Sequence, residues 1–281
     1  MKRLLGGALL AGGTAVISGY TYARHIEPQR LVTEHVILPI AGLPAAFAGF
    51  TVVIMSDFHL HPLYTQLDLI QRAVATANQL QPDLIALPGD FIVSRLRVMD
   101  ALAPVLGQLR ARHGVYAVLG NHDARHGPRL IRDVLGDVGI PVLVNEGVLL
   151  THRDAHLYVA GVDNCSRGYP DLAQALAASP PDAGLPGGTP VILLAHEPDF
   201  ADQFAQDERV TLQLSGHTHG GQIRLPLWGP VVLPEYGRFY HSGLYRIRQM
   251  WLYTTRGIGT NGLPLRFLCP PEITHLTLMP A

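Results

Sequence analysis

Thr51-Val52-Val53-Ile54-Met55-Ser56-Asp57-Phe58-His59 reads as a buried strand that runs directly into two metal-ligand side chains. Thr51 to Met55 is a strand-length run of β-branched and aliphatic residues without polar alternation. In extended backbone, residues i and i+2 point to the same side, so Asp57 and His59 can share one ion. Alone, an Asp-x-His pair is as well explained by a surface pair. The pattern recurs four times, however. Leu84–Leu87 leads into Gly89-Asp90, and Val115–Leu119 into Gly120-Asn121-His122-Asp123. Val191–Ala195 ends at His196, and Thr211–Leu214 leads into Gly216-His217-Thr218-His219-Gly220-Gly221. Singly, most of these are a turn, a helix cap or a structural histidine. The two histidines two apart among glycines are a metal signal in their own right.

Taken together they leave little room for those ordinary readings. One sheet edge would gather all five, and burying that many carboxylates and imidazoles without a cation would be costly. Imidazole and carboxylate donors without thiolate suit Mn, Fe or Zn. Three Asp/Asn and three or four His, each just past an apolar run, are too many for one four-coordinate zinc and suit two ions sharing a carboxylate.

Working outward, the apolar runs, with a sixth at Leu157–Ala160, alternate with helix candidates. These are Asp100–Arg110, Pro128–Val138, Asp171–Ala178 and Asp199–Gln206. Thr65-Gln66-Leu67-Asp68 reads as a capping box, and Ile70, Val74 and Ala77 mark one face of the helix it would start. This βαβ alternation implies an α/β domain with its site at the C-terminal strand ends. Residues 179–190 read as an exposed loop. The expected organisation is a membrane anchor or signal segment over residues 1–29 and one catalytic domain over 30–281, β-rich toward its C-terminus.

Composition narrows the function classes. The 281 residues are 48% hydrophobic and 15% charged, which excludes a disordered chain and allows a substantial core. Lys+Arg 21 against Asp+Glu 22 argues against a general nucleic-acid binder. Cys165 and Cys269 are the only cysteines, too few for a disulfide scaffold or a cysteine zinc site. No Gly-x-Ser-x-Gly elbow occurs, so a serine nucleophile is not indicated.

Leu4 to Ala23 is uncharged, and as a helix at about 1.5 Å per residue would span roughly 30 Å. That fits a single membrane anchor. Its glycines leave a removed signal peptide or a buried helix as alternatives. Lys2 and Arg3 favour a cytoplasmic N-terminus and an extracytoplasmic catalytic domain, although Arg24 and Arg30 nearly cancel the bias.

Asp-x-His, Gly-Asp, Gly-Asn-His-Asp, a lone His and Gly-His-x-His, in this order, resemble the calcineurin-like metallophosphoesterases from about Gly49 to Leu278. The stretches around His196 and His217, Arg256-Gly257-Ile258-Gly259, and the ending from Arg266 to Pro271-Glu272 resemble a membrane-associated bacterial phosphodiesterase branch. The resemblance implies an α/β fold, a four-layer α/β/β/α sandwich, with two divalent ions (Mn, Zn or Fe) at the sheet edge. Asp57, His59 and His219 would hold one ion, Asn121, His196 and His217 the other, and Asp90 both. His122 would be a general acid or oxyanion donor, with Asp123 orienting it.

The implied activity is hydrolysis of a phosphodiester or pyrophosphate by a metal-activated hydroxide. The expected substrate is envelope- or lipid-related, such as UDP-2,3-diacylglucosamine, a reaction that would put the domain on the cytoplasmic face. Competing readings are a broad phosphomonoesterase and a non-catalytic envelope-binding module. The sequence departs from the family at Phe91-Ile92-Val93, which promise a more apolar rim, and at Ala124-Arg125-His126, where an aromatic pair is usual. Arg256 and Arg266 read as a phosphate clamp or as surface ion pairs. Trp228, Tyr236 and Tyr240 read either as a pocket wall or as a cap on the second sheet.

Overall fold

Buried parallel strands are apolar on both faces, and the strongest runs in the sequence obey this. Leu84–Leu87 and Val191–Leu194 are buried at every position. The computed structural model describes residues 16–177 and 185–281, and its strands form two main sheets. In the first, β1 (Val32–Ile40), β2 (Phe50–Ile54), β3 (Leu84–Leu87), β4 (Val115–Ala117) and β13 (Glu272–Pro280) lie in the order β1-β13-β2-β3-β4. The second holds β5 (Glu146–His152), β6 (Ala155–Gly161), β7 (Val191–Leu194), β8 (Val210–Ser215), β11 (Gly243–Ile247) and β12 (Met250–Thr254). Their order is β11-β12-β8-β7-β6-β5, with the four central strands parallel. A small hairpin, β9 (Arg224–Leu225) with β10 (Gly229–Pro230), stands apart.

The period-two alternation of each strand divides its residues between layers. Val53 and Met55 face a helix-side core, while Val52 and Ile54 face the other sheet. The helices Leu67–Gln79, Met99–Leu106 and Pro128–Asp137 cover the first sheet through residues such as Ile70, Leu102 and Ile131. Between the sheets lie Leu38, Leu84, Ile192, Leu212 and Leu278. Outside the second sheet, Val191, Leu193 and Leu252 pack with Ala175, Ala201 and Phe204 of two short helices. The layers therefore run helix, sheet, sheet, helix.

Several expected elements change. The capping box at Thr65 does not form: the helix begins at Leu67 after Gln66, with no side-chain cap. Thr65 is buried under a distant loop and accepts from the Thr260 N–H at 3.1 Å. The helix expected at 199–206 splits into a 3-10 turn, Pro198–Phe200, and one α turn, Ala201–Phe204. That at 171–178 shrinks to Leu172–Ala175, and residues 178–184 lie outside the described residues.

Most of the expected membrane span, residues 4–15, also lies outside them, and among the described residues no helix is long and apolar enough to cross a membrane. Residues 16–21 are helical, and the following turn docks on the domain. Ala23 O accepts from Arg266 N at 2.9 Å. The buried Glu27 carboxylate accepts from the N–H of Leu268 at 3.0 Å and from that of Cys269.

Candidate metal centre

The strand ends converge on one edge, but not through extended backbone. Asp57, His59, Asp90, His217 and His219 all have left-handed φ, between 44° and 72°. Such backbone costs non-glycine residues energy and persists where the surrounding fold imposes it, most often at functional sites. The i, i+2 argument for Asp57 and His59 does not apply here: β2 ends at Ile54, before either. Gly120 and Gly216 permit the close approach. A Cβ on Gly120 would overlap the Asp90 carboxylate, and one on Gly216 the side chains of Ser56 and Asp57.

Two triads occupy the two halves of the site. Asp57, His59 and His219 offer donor atoms within 4.8 Å of one another, as do Asp90, His196 and His217, and His59 and Asp90 form a third such group with His122. In the first, the Nε2 atoms of His59 and His219 are 3.0 Å apart, and His219 Nε2 is 3.5 Å from Asp57 Oδ1. Asp90 Oδ2 lies 3.3 Å from His59 Nε2 and 3.3 Å from His196 Nε2, so one oxygen faces both triads. Asn121 Oδ1 joins the second at 3.0 Å from His217 Nδ1. Backbone carbonyls hold the far side of three rings: Ile92 O on His59 Nδ1, Pro88 O on His196 Nδ1, and Glu235 O on His217 Nε2. Each carbonyl claims the ring proton and turns the other nitrogen's lone pair inward.

The donor set fits a pair of cations. His196 Nε2 is buried without a hydrogen-bond partner. Burial disfavours charge on Asp90, yet the imidazoles of His196 and His59 outweigh it and hold its carboxyl well below the usual range. His196 is conversely raised well above its ordinary value, Asp90 and Asp57 overcoming its burial.

His122 sits beside this set. Its Nδ1 donates to Val93 O at 2.8 Å, its backbone N–H to Asp90 Oδ1 at 3.0 Å, and its Nε2 is 2.9 Å from Asn261 Nδ2. Asp123 does not orient it. The Asp123 carboxylate accepts instead from the backbone N–H groups of Asp90 at 2.8 Å, Phe91 at 3.0 Å, Ile92 at 3.3 Å and Gly120 at 3.0 Å. The reason is local. Asp123 is the third residue of the helix Asn121–His126, the position whose carboxylate reaches back to the preceding N–H.

The rim also differs from expectation. Phe91 and Ile92 are buried in the helix-side core. The apolar wall comes instead from Ile223, Val231, Val232, Pro234 and Leu263, which line a cavity of about 410 Å³ together with His217 and His219. Trp228 points to solvent, Tyr236 packs on Phe200, and Tyr240 donates to Asp202. Arg266 is buried and spends its guanidinium on the carbonyls of Arg256, Gly257, Gly259 and Cys269. Arg256 pairs with Glu34 at 2.6 Å and Glu272 at 2.8 Å. Neither arginine is a phosphate clamp. Asn261, on His122 and in the cavity wall, is the site residue the sequence reading missed. Its signal was a lone amide in the glycine-rich turn after Gly257-Ile258-Gly259.

Two facing sheets with carboxylate and imidazole donors at their common edge define a metal-dependent hydrolase of phosphoesters. The chain belongs to the calcineurin-like phosphoesterase family, which it matches over residues 50–221. It is 38% identical over 276 residues to the uncharacterized metallophosphoesterase YkuE of Bacillus subtilis, covering 97% of this chain and 94% of that one. To the phosphodiesterase YaeI of Escherichia coli it is 32% identical over 273 residues, 96% of each chain. Among solved structures it resembles the NAD nucleotidase NadN of Haemophilus influenzae in fold, with a TM-score of 0.51 at 14% identity over 74% of this chain and 50% of that one.

Proposed function

We propose that the centre hydrolyses a phosphodiester or pyrophosphate bond, with Asp57, His59 and His219 on one divalent ion, Asn121, His196 and His217 on the other, and Asp90 on both. The observation that carries this is the single Asp90 oxygen 3.3 Å from an imidazole of each triad. Two such ions would bind phosphoryl oxygens, offset their charge and supply an activated water. The chain's own residues do the rest. His122, its Nδ1 proton held by Val93 O, keeps its Nε2 lone pair against the Asn261 amide, and would take up a proton there to pass to the leaving oxygen. Asn261 steadies that nitrogen and lines the space for the substrate.

Likeness to a protein named a phosphodiesterase supports diester over monoester chemistry. The apolar wall of Val231, Val232 and Leu263 supports a substrate with a lipid part, UDP-2,3-diacylglucosamine being the specific candidate. The uncharged run from Leu4 to Ala23 supports attachment to a bacterial cell membrane, with the domain outside the cytoplasm by charge bias. The candidate substrate requires the opposite face. The test is turnover by Mn- or Zn-loaded protein of a panel of phosphodiesters, monoesters and lipid-linked diphosphates. Diester or diphosphate turnover is expected, preference for monoesters would favour the broad phosphomonoesterase, and no turnover would leave a binding module.

A further inference from the structure

Two segments flanking the metal centre are nearly free of charge. Between His219 and Pro234 only Arg224 is charged, and between Arg256 and Glu272 only Arg266. Both present apolar side chains to solvent. The turn of the β9–β10 hairpin leaves Leu227 wholly exposed and Trp228 86% exposed, with Leu225, Val231 and Val232 exposed beside them. The second segment adds Leu263 and Leu268. The segments touch: Ile223 bridges Phe267, and Arg224 N donates to Phe267 O at 2.9 Å.

The N-terminal run enters the fold at the same place. Tyr22 meets the Phe267 ring edge-on, and Ala23 O bonds Arg266 N. Val16, Ile17 and Tyr20 are exposed just before this contact. Residues 4–15 precede them outside the described residues and carry no charge. Apolar side chains clustered at the surface in this way mark interaction or membrane sites more often than chance exposure.

We propose that this face, the hairpin with Leu263 and Leu268, seats in the interfacial layer of a lipid membrane. The adjoining cavity would then take the head of a phosphoester whose tail stays in the lipid. The proposal rests on the phosphoesterase reading above. Lipid is favoured over a second copy or another protein by the chemistry of the tip. Pro226 and Pro230 have no N–H to desolvate, no acidic residue would repel anionic headgroups, and tryptophan is at home where water meets acyl chains. The wall is continuous, since Val231, Val232 and Leu263 are both part of the exposed face and part of the cavity.

Two tryptophans make the test direct, because Trp251 is half-buried with its Nε1 on Pro39 O. Full-length Trp251→Phe protein is mixed with phosphatidylcholine–phosphatidylglycerol vesicles, with or without brominated acyl chains. Bromolipid should strongly quench Trp228, and plain vesicles should shield it from iodide. Trp228→Phe protein should be quenched far less. Leu227→Asp/Trp228→Asp protein should keep its turnover of bis-p-nitrophenyl phosphate, since neither side chain lines the cavity, and lose about tenfold or more on a vesicle-borne phosphodiester. A Trp228 equally open to iodide with and without vesicles overturns the proposal, even if the chain is held to them by its N-terminus. So does concentration-dependent shielding without lipid, which would assign the face to a second copy. Failure of the unaltered protein to turn over any of the diesters, monoesters or lipid-linked diphosphates would defeat the phosphoesterase reading instead, and leave the fluorescence result standing.

Discussion

Asp90 faces both triads with one oxygen, 3.3 Å from an imidazole of each. Asp90→Asn should therefore empty both positions, while Asn121→Ala should weaken one. Elemental analysis of Mn- or Zn-loaded protein should read about two ions for the unaltered chain. One or fewer would end the two-ion mechanism. Protons compete for the same donors. Because His59 and His196 are both raised in the metal-free chain, they hold protons that must leave before ions enter, so metal affinity should increase with pH. The same raised values help the metal-free fold at low pH and stop helping as pH passes them. Calorimetric titrations should show tighter binding at about pH 8 than at about pH 6, with heats that depend on the buffer's ionisation enthalpy. His122→Gln should keep its metals and lose roughly 10²–10⁴-fold on alkyl esters, with a clearly smaller loss on nitrophenyl esters. Equal losses would move His122 to stabilising phosphoryl charge, and lost metal would make it a ligand.

At the scale of elements, the loops after β3 and β4 are clamped by one carboxylate. Removing it in Asp123→Ala leaves the buried N–H groups of Asp90, Phe91, Ile92 and Gly120 without their acceptor. A loss of about 2–4 kcal/mol is expected, together with weaker metal binding. Melting curves check this, and His122→Gln should show neither change, a contrast that an orienting role for Asp123 would not produce. Gly120→Ala should abolish metal binding more completely, because its Cβ would occupy the place of the Asp90 carboxylate. What the sequence revealed follows the same division. The five strand-then-ligand blocks were legible because buried parallel strands are unbroken apolar runs. Asp123 was misassigned because a helix-start carboxylate and a histidine orienter look alike until the helix start is located. β1 and β13 went unassigned because Glu34, His35, Pro39 and His275 break their apolar pattern. Their pairing, Val32 with Glu272 through Ile40 with Pro280, also spans nearly the whole chain.

For the whole molecule, residues 22–29 belong mechanically to the domain. A chain starting at Tyr22 keeps Glu27 on the N–H groups of Leu268 and Cys269, while one starting at Arg30 loses it. The shorter chain should melt several degrees lower, about 2–4 °C per kcal/mol lost at this size. Full-length protein should sediment with membranes and be released by detergent. If it stays in solution unprocessed, the first 23 residues are no anchor.

The strand order of the first sheet carries a consequence for how the protein is made. β13 lies between β1 and β2, contributing Leu276 and Leu278 to the core between the sheets and Ile273 to the helix-side core. It also leaves the ribosome after every other strand. Until then β1 has no partner, and β2, which leads into Asp57 and His59, is open along one edge. An open strand edge in a nascent chain invites wrong pairing. The metal centre should therefore assemble late, on a chain whose synthesis has passed residue 280. A nonsense codon at 272 should leave all seven donors in place in the sequence and yield aggregate rather than a metalloprotein.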